Sequence, residues 1–129
     1  MAATIQRSHA MSGAWTAAIA VLLMMPLGGA PSAPDWIPQF VAFAGDKIVH
    51  AALFFAAARA YHRSAALAGL QRPGIAAVIV AVTYGGLMEI LQSFVGRDAE
   101  WGDLAADALG AVIAVAWAQP GRQHASRSG

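Results

Sequence analysis

Between Arg7 and Asp35 the chain carries no formally charged residue, and between Gly74 and Met88 it again carries none. The core of the first stretch, GAWTAAIAVLLMMPLGGA (Gly13 to Ala30), is long enough as a helix to cross about 30 Å of hydrocarbon. With 58% hydrophobic and 12% charged residues, the composition is far more apolar than that of a soluble domain, whose charged fraction is nearer about 25%. The expected class is therefore a membrane protein whose first partner is the lipid bilayer. At 129 residues the chain is one domain, with room for three to five spanning helices of about 20 residues each. Little is left over for a soluble module, and nothing points to nucleic acid. The absence of cysteine excludes a thiol nucleophile, a disulfide framework and a thiolate metal site.

The pattern predicts an all-α, polytopic, up-down bundle of four transmembrane helices over 13–118, with spans at about 13–30, 46–66, 74–95 and 103–118. Residues 1–12 are expected as an N-terminal segment, and the small, polar, basic stretch 119–129 as a disordered tail. A signal peptide is the rival reading of span one, because Arg7 supplies a basic flank and small residues precede Pro31. Cleavage after Ala30 or Ala33 would leave proline at the new N-terminus, so a retained anchor is favoured. Prolines make Pro31 to Pro38 a loop, Gln71 to Gly74 is a turn, and GRDAEWG (Gly96 to Gly102) is a short polar connection. Trp15, Trp36, Trp101 and Trp117 fall near predicted span ends, as interfacial aromatics do.

Charge sets the expected orientation. Arg7, Arg59, Arg63, Arg72, Arg122 and Arg127, six of the eight basic residues, fall on the side shared by both termini and the connection between spans two and three. By the positive-inside rule that side is cytoplasmic. Lys47 and Arg97 lie on the other side with all seven acids, Asp35, Asp46, Glu89, Asp98, Glu100, Asp103 and Asp107.

Polar residues at this outer end border or interrupt the apolar runs. Asp46 and His50 share a helix face at the start of span two, Glu89 and Gln92 share one near the end of span three, and Asp103 and Asp107 share one at the start of span four. Gly85 and Gly86, and the pair Ala106 and Gly110, allow close helix approach beside them. A carboxylate at bilayer depth costs a few kcal/mol on lenient scales, so such groups face a bundle interior and carry function. Three helices are thus expected to bring polar faces to one pocket.

DKIVH (Asp46 to His50) followed by EILQSFVGRDAEWGDLAADALGA (Glu89 to Ala111) resembles the VanZ-like family of small bacterial membrane proteins. That family's pattern reads roughly D-K-x-x-H, E-x-x-Q-x-x-x-x-R and D-x-x-x-N/D-x-x-G, with Asn often in the slot of Asp107. The resemblance implies a multi-pass protein of the bacterial cytoplasmic membrane with a cell-envelope role, and its namesake is associated with teicoplanin resistance. It implies no settled reaction.

The residues carry alternative roles at this stage. Asp46 is either an N-terminal cap that also holds a His50 tautomer, or part of an oriented acid/base with His50. Lys47 is an interfacial cation or a phosphate binder, and Arg97 an interfacial charge or a fork for phosphate or carboxylate. Glu89 is the leading functional candidate, because a structural network could use Gln or Ser at lower desolvation cost; Gln92 is expected to satisfy it. Asp103 reads as a helix cap, and Asp107 needs a partner, His50 or Arg97.

Three functions compete. The first is binding of a lipid-linked or anionic envelope molecule, or a glycopeptide, by Asp46, Lys47, His50, Glu89, Gln92, Arg97, Asp103 and Asp107. The second is an intramembrane hydrolase or transferase with His50, Glu89 and Asp107 as catalytic candidates. The third is a structural protein whose polar network locks the bundle. No cofactor is expected: one His with three carboxylates can hold a divalent cation, but the spacing contains no recognised metal-ligand signature.

Overall fold

The computed structural model describes residues 1–24, 38–94 and 100–118, all of them helical or in the turns between helices. Four helices follow in order: α1 (Ala2–Met24), α2 (Gln39–Leu67), α3 (Pro73–Phe94) and α4 (Trp101–Trp117). The fold is all-α, as the long apolar runs predict.

Each helix runs further toward its N-terminus than the apolar runs alone indicate. α1 starts at Ala2 rather than near Gly13, because Ala2 to Ser12 contains no proline or glycine to stop it. α2 starts at Gln39 after Pro38, whose φ of −55° suits a helix entrance. Asp46 is therefore two turns inside α2 and caps nothing. At α4 the N-cap is Glu100, which places Asp103 in the first turn, where it is not the cap. The connection between α2 and α3 is closed by Gly69 at φ 78°, a left-handed conformation that glycine adopts without steric cost.

Side-chain contacts fix the directions. Ser8, early in α1, meets Ser64, late in α2; Gln92, late in α3, meets Leu23 at the end of α1; His50, early in α2, meets Asp107, early in α4. Neighbours in sequence are thus antiparallel, and α2 and α4 run parallel. α2 is the central helix, packed on the other three, and among the described residues α1 touches α2 and α3 but not α4.

The buried positions form one stripe per helix: His50, Phe54, Ala57, Tyr61 and Ser64 on α2; Ala77, Ala81, Gly85, Met88 and Gln92 on α3; Asp103, Asp107, Gly110 and Ala114 on α4. Steps of three and four are what a helix needs to keep one face turned to its neighbours. These stripes are mostly small or polar, with Phe54, Tyr61 and Met88 as their large members. The large apolar side chains Ile48, Ile75, Ile79, Ile90, Phe94, Leu109 and Ile113 point outward.

One helix among the described residues, α3, is long and apolar enough by itself to cross a membrane. α4 has 17 residues, α1 opens on the polar stretch around Arg7 and His9, and α2 is interrupted by Asp46, Lys47, Arg59 and Arg63. The expectation of four spans thus has independent compositional support for one. Trp101 and Trp117 are exposed at opposite ends of α4. Trp15 instead sits in mid-α1, packed against the core. Trp36, the Pro31–Ile37 part of the expected loop and the tail 119–129 lie outside the described residues.

Candidate functional site: a buried carboxylate and imidazole cluster

The antiparallel connectivity brings the first half of α2, the last turns of α3 and the first turns of α4 to one end of the bundle. There His50 Nδ1 lies 3.0 Å from Asp107 Oδ1, and the two side chains are 2% and 1% exposed. The other imidazole nitrogen, Nε2, faces Asp103 Oδ2 at 3.8 Å. Asp46, four residues before His50, is exposed and bonds Lys47 instead. The partner that orients His50 is Asp107.

Glu89 enters from α3. Its Oε2 accepts the backbone N–H of Glu100 at 2.8 Å, which ties the end of α3 to the start of α4. Gln92 does not satisfy it, because the amide is turned away and donates to the Leu23 carbonyl at 3.1 Å, joining α3 to α1. Among the described residues, Glu89 Oε1 and Asp107 Oδ2 are both buried without a hydrogen-bond partner. Buried polar atoms are normally paired, and an orphan costs about 1–3 kcal/mol.

Lys47 closes the outer side of the cluster. Its ammonium pairs with Glu100 and Asp103, and reaches Asp46 at 3.5 Å. A cation held by three carboxylates has little left for a phosphate, so its geometry favours a clamp between α2 and α4. Gly102 permits that clamp, since a Cβ there would come within 3.2 Å of Lys47 Cε. Arg97, the other expected anion contact, lies outside the described residues.

Glycines set the depth of the site. A Cβ on Gly85 would stand 2.8 Å from Asp107 Oδ2, and one on Gly110 would stand 3.0 Å from Ala51 Cα and collide with that residue's carbonyl. Only bare backbone at these two positions lets α4 approach α3 and α2 closely enough for Asp107 to reach His50. Gly86 differs from the expectation drawn for it: it faces open space and borders a groove. That groove, about 650 Å3, runs between Leu87, Ile90 and Phe94 of α3 and Trp101 and Leu104 of α4, and Glu89 lies in its wall.

Among the described residues, two overlapping sets of side chains have donor atoms within 4.8 Å of one another: His50, Glu89 and Asp107, all buried, and Asp46, His50 and Asp103. Either set meets the minimal demand of a cation, several donors converging on one point. Their sequence spacing hides this because the donors come from three helices.

A second polar region was not legible as such. Ser64 of α2 bonds Ser8 at 3.0 Å and Ser12 at 2.8 Å, Thr16 bonds Tyr61 at 2.7 Å, and Tyr84 donates to the Thr16 carbonyl at 2.6 Å. The four-residue spacing of Ser8, Ser12 and Thr16 was the available signal. These hydroxyl bonds join α1 to α2 and α3. Beside them, Arg59, His62 and Arg63 line a cavity of about 690 Å3 at the opposite end from the acids.

Comparison of the chain with protein-family models, curated proteins and solved structures finds no match.

Proposed function

We propose that this chain is an integral membrane protein of the bacterial cell envelope, similar to the VanZ-like family, whose polar pocket binds the headgroup of a lipid-linked or anionic envelope molecule. The four helices would form one multi-pass bundle in the cytoplasmic membrane, with both termini cytoplasmic. The observation that carries the membrane reading is a polar cluster inside an apolar exterior: His50, Glu89, Gln92, Asp103 and Asp107 are buried beside a core that also holds Ile19 and Phe54, while Ile48, Ile79, Ile90, Phe94, Trp101 and Leu109 are exposed. A core helix of a soluble protein buries its apolar surface, yet only 33% of the apolar window of α3 is buried. Apolar area left in water would cost about 25 cal/mol per Å2. Lipid removes that cost, and internal hydrogen bonding satisfies the backbone of all four helices.

The pocket's chemistry supports a ligand over a lock. A network that only fastened helices would close on itself, whereas Glu89 Oε1 and Asp107 Oδ2 are left open. An apolar groove ending on Glu89 suits an acyl or isoprenoid chain whose polar head presents hydroxyl or amino donors to those oxygens. Lys47 is engaged by Asp103 and Glu100, which leaves it to the clamp between α2 and α4 rather than to a phosphate. Linkage to teicoplanin susceptibility rests on the family resemblance.

A second reading, an intramembrane hydrolase or transferase, is favoured by the His50–Asp107 pair, an imidazole oriented by a carboxylate as in general-base sites. One scan separates the readings: Asp46→Asn, His50→Gln, Glu89→Gln, Arg97→Gln, Asp103→Asn and Asp107→Asn, scored separately for membrane level and glycopeptide susceptibility. Normal levels with altered susceptibility at Glu89 and Asp107 support binding, and the hydrolase or transferase is supported in its place where His50→Gln abolishes the effect while lipid still co-purifies with the protein. Normal levels with wild-type susceptibility throughout would sink both readings and leave a structural protein.

A further inference from the structure

We infer that His50, Glu89 and Asp107 hold one divalent transition-metal cation at the inner end of the pocket, through an imidazole nitrogen and two carboxylate oxygens. The inference rests on reading this end of the bundle as a ligand pocket, and it deepens that reading.

Three features bear on the same residues. Donor atoms of the three residues lie within 4.8 Å of one another, and all three residues are buried. Among the described residues, the buried oxygens without a hydrogen-bond partner, Glu89 Oε1 and Asp107 Oδ2, belong to two of these three residues, which are 7% and 1% exposed. The space beside Asp107 Oδ2 is kept by Gly85, where a Cβ would stand 2.8 Å from that oxygen.

The surrounding groups are arranged as a metal site requires. In this structure Nδ1 of His50 faces Asp107 Oδ1; with a cation on Nδ1 the ring proton would move to Nε2, which faces Asp103 Oδ2 at 3.8 Å, and Asp103 is itself held by Lys47. A carboxylate behind a ligating histidine fixes its tautomer and raises its basicity. The alternative set containing Asp46 is less suited, since Asp46 is exposed and Asp103 is engaged by Lys47.

The donor set selects the cation class. One imidazole with two carboxylates suits zinc or manganese, whereas calcium asks for six to eight oxygens, about twice what these side chains offer. Three protein ligands leave a coordination position open. Of the three ligands Glu89 lines the groove, so a phosphate or hydroxyl oxygen of a headgroup seated there would be the group to complete the coordination, and the cation would supply the positive charge that an acid-rich pocket lacks toward an anionic lipid.

The test is zinc binding to the full chain in detergent, stripped with chelator and free of added lipid, measured by titration calorimetry and elemental analysis. One zinc per chain is expected, with Glu89→Gln and Asp107→Asn each weakening binding at least about tenfold and Gly85→Ala weakening it while all three donors remain. Where the neutral variants fail to fold, Glu89→Asp decides, because it keeps the charge but withdraws the oxygen by one methylene. Substoichiometric zinc in the wild type, or affinity unchanged in Glu89→Gln, Asp107→Asn and Glu89→Asp, overturns the site. Lipid phosphate counted in the same unstripped preparations separates the two ideas. Lipid without zinc binding removes the cation and keeps the pocket; zinc binding without lipid removes the pocket's assigned ligand and keeps the cation.

Discussion

His50 and Asp107, 57 residues apart in sequence, face each other across α2 and α4 at 3.0 Å with almost no exposed surface. Removing one partner of a buried pair strands the other, at about 3–5 kcal/mol, whereas replacing both by apolar residues is often neutral. His50→Leu is therefore expected to destabilise the bundle by about that amount, and His50→Leu with Asp107→Leu to cost less than His50→Leu alone. A double-mutant cycle on denaturant-induced unfolding checks this, and additive costs would contradict it.

Gly110 and Gly86 make a matched pair of opposite sign. A methyl at Gly110 would enter the backbone of Ala51, while one at Gly86 would meet nothing within 4 Å. Gly110→Ala is expected to destabilise by about 1–3 kcal/mol through overpacking, and Gly86→Ala to be neutral or to stabilise by up to about 1 kcal/mol through helix propensity. Unfolding midpoints of the two variants measure the difference.

Ser64 joins α2 to α1 through Ser8 and Ser12. Interhelical hydrogen bonds in membranes average about 0.6 kcal/mol each, so Ser64→Ala is expected to cost about 1 kcal/mol. The acid cluster is at the other end of α2, and zinc affinity should stay unchanged. A change there would mean that the two ends are coupled.

The lack of cysteine makes topology directly accessible. Single cysteines at Glu100 and Arg72 are expected to react with a membrane-impermeant thiol reagent from opposite sides of intact cells, Glu100→Cys from outside and Arg72→Cys only after lysis. Labelling of both from the same side would contradict the four-span arrangement.

The helices were legible in the sequence because long apolar runs act locally. Their N-termini were not: Ala2 to Ser12 and Gln39 to Gly45 continue helices that hydropathy alone does not require. Candidate site residues stood out by type, as acids and a histidine bordering apolar runs. Their partners did not, because pairing between helices depends on register. Asp46 and His50 have helix-face spacing, yet His50 turns to Asp107, and Gln92 has the spacing to meet Glu89 but reaches Leu23. The hydroxyl seam around Ser64 escaped notice because serine and threonine are not costly enough in apolar helices to stand out.

The central claim, that the cluster around Glu89 and Asp107 is a ligand pocket, is tested most directly by native mass spectrometry of protein released from its own membrane. The wild type is predicted to carry a phosphate-containing lipid adduct that is lost in a folded Glu89→Gln, Asp107→Asn variant. The same adducts in both proteins, or none in either, would contradict it.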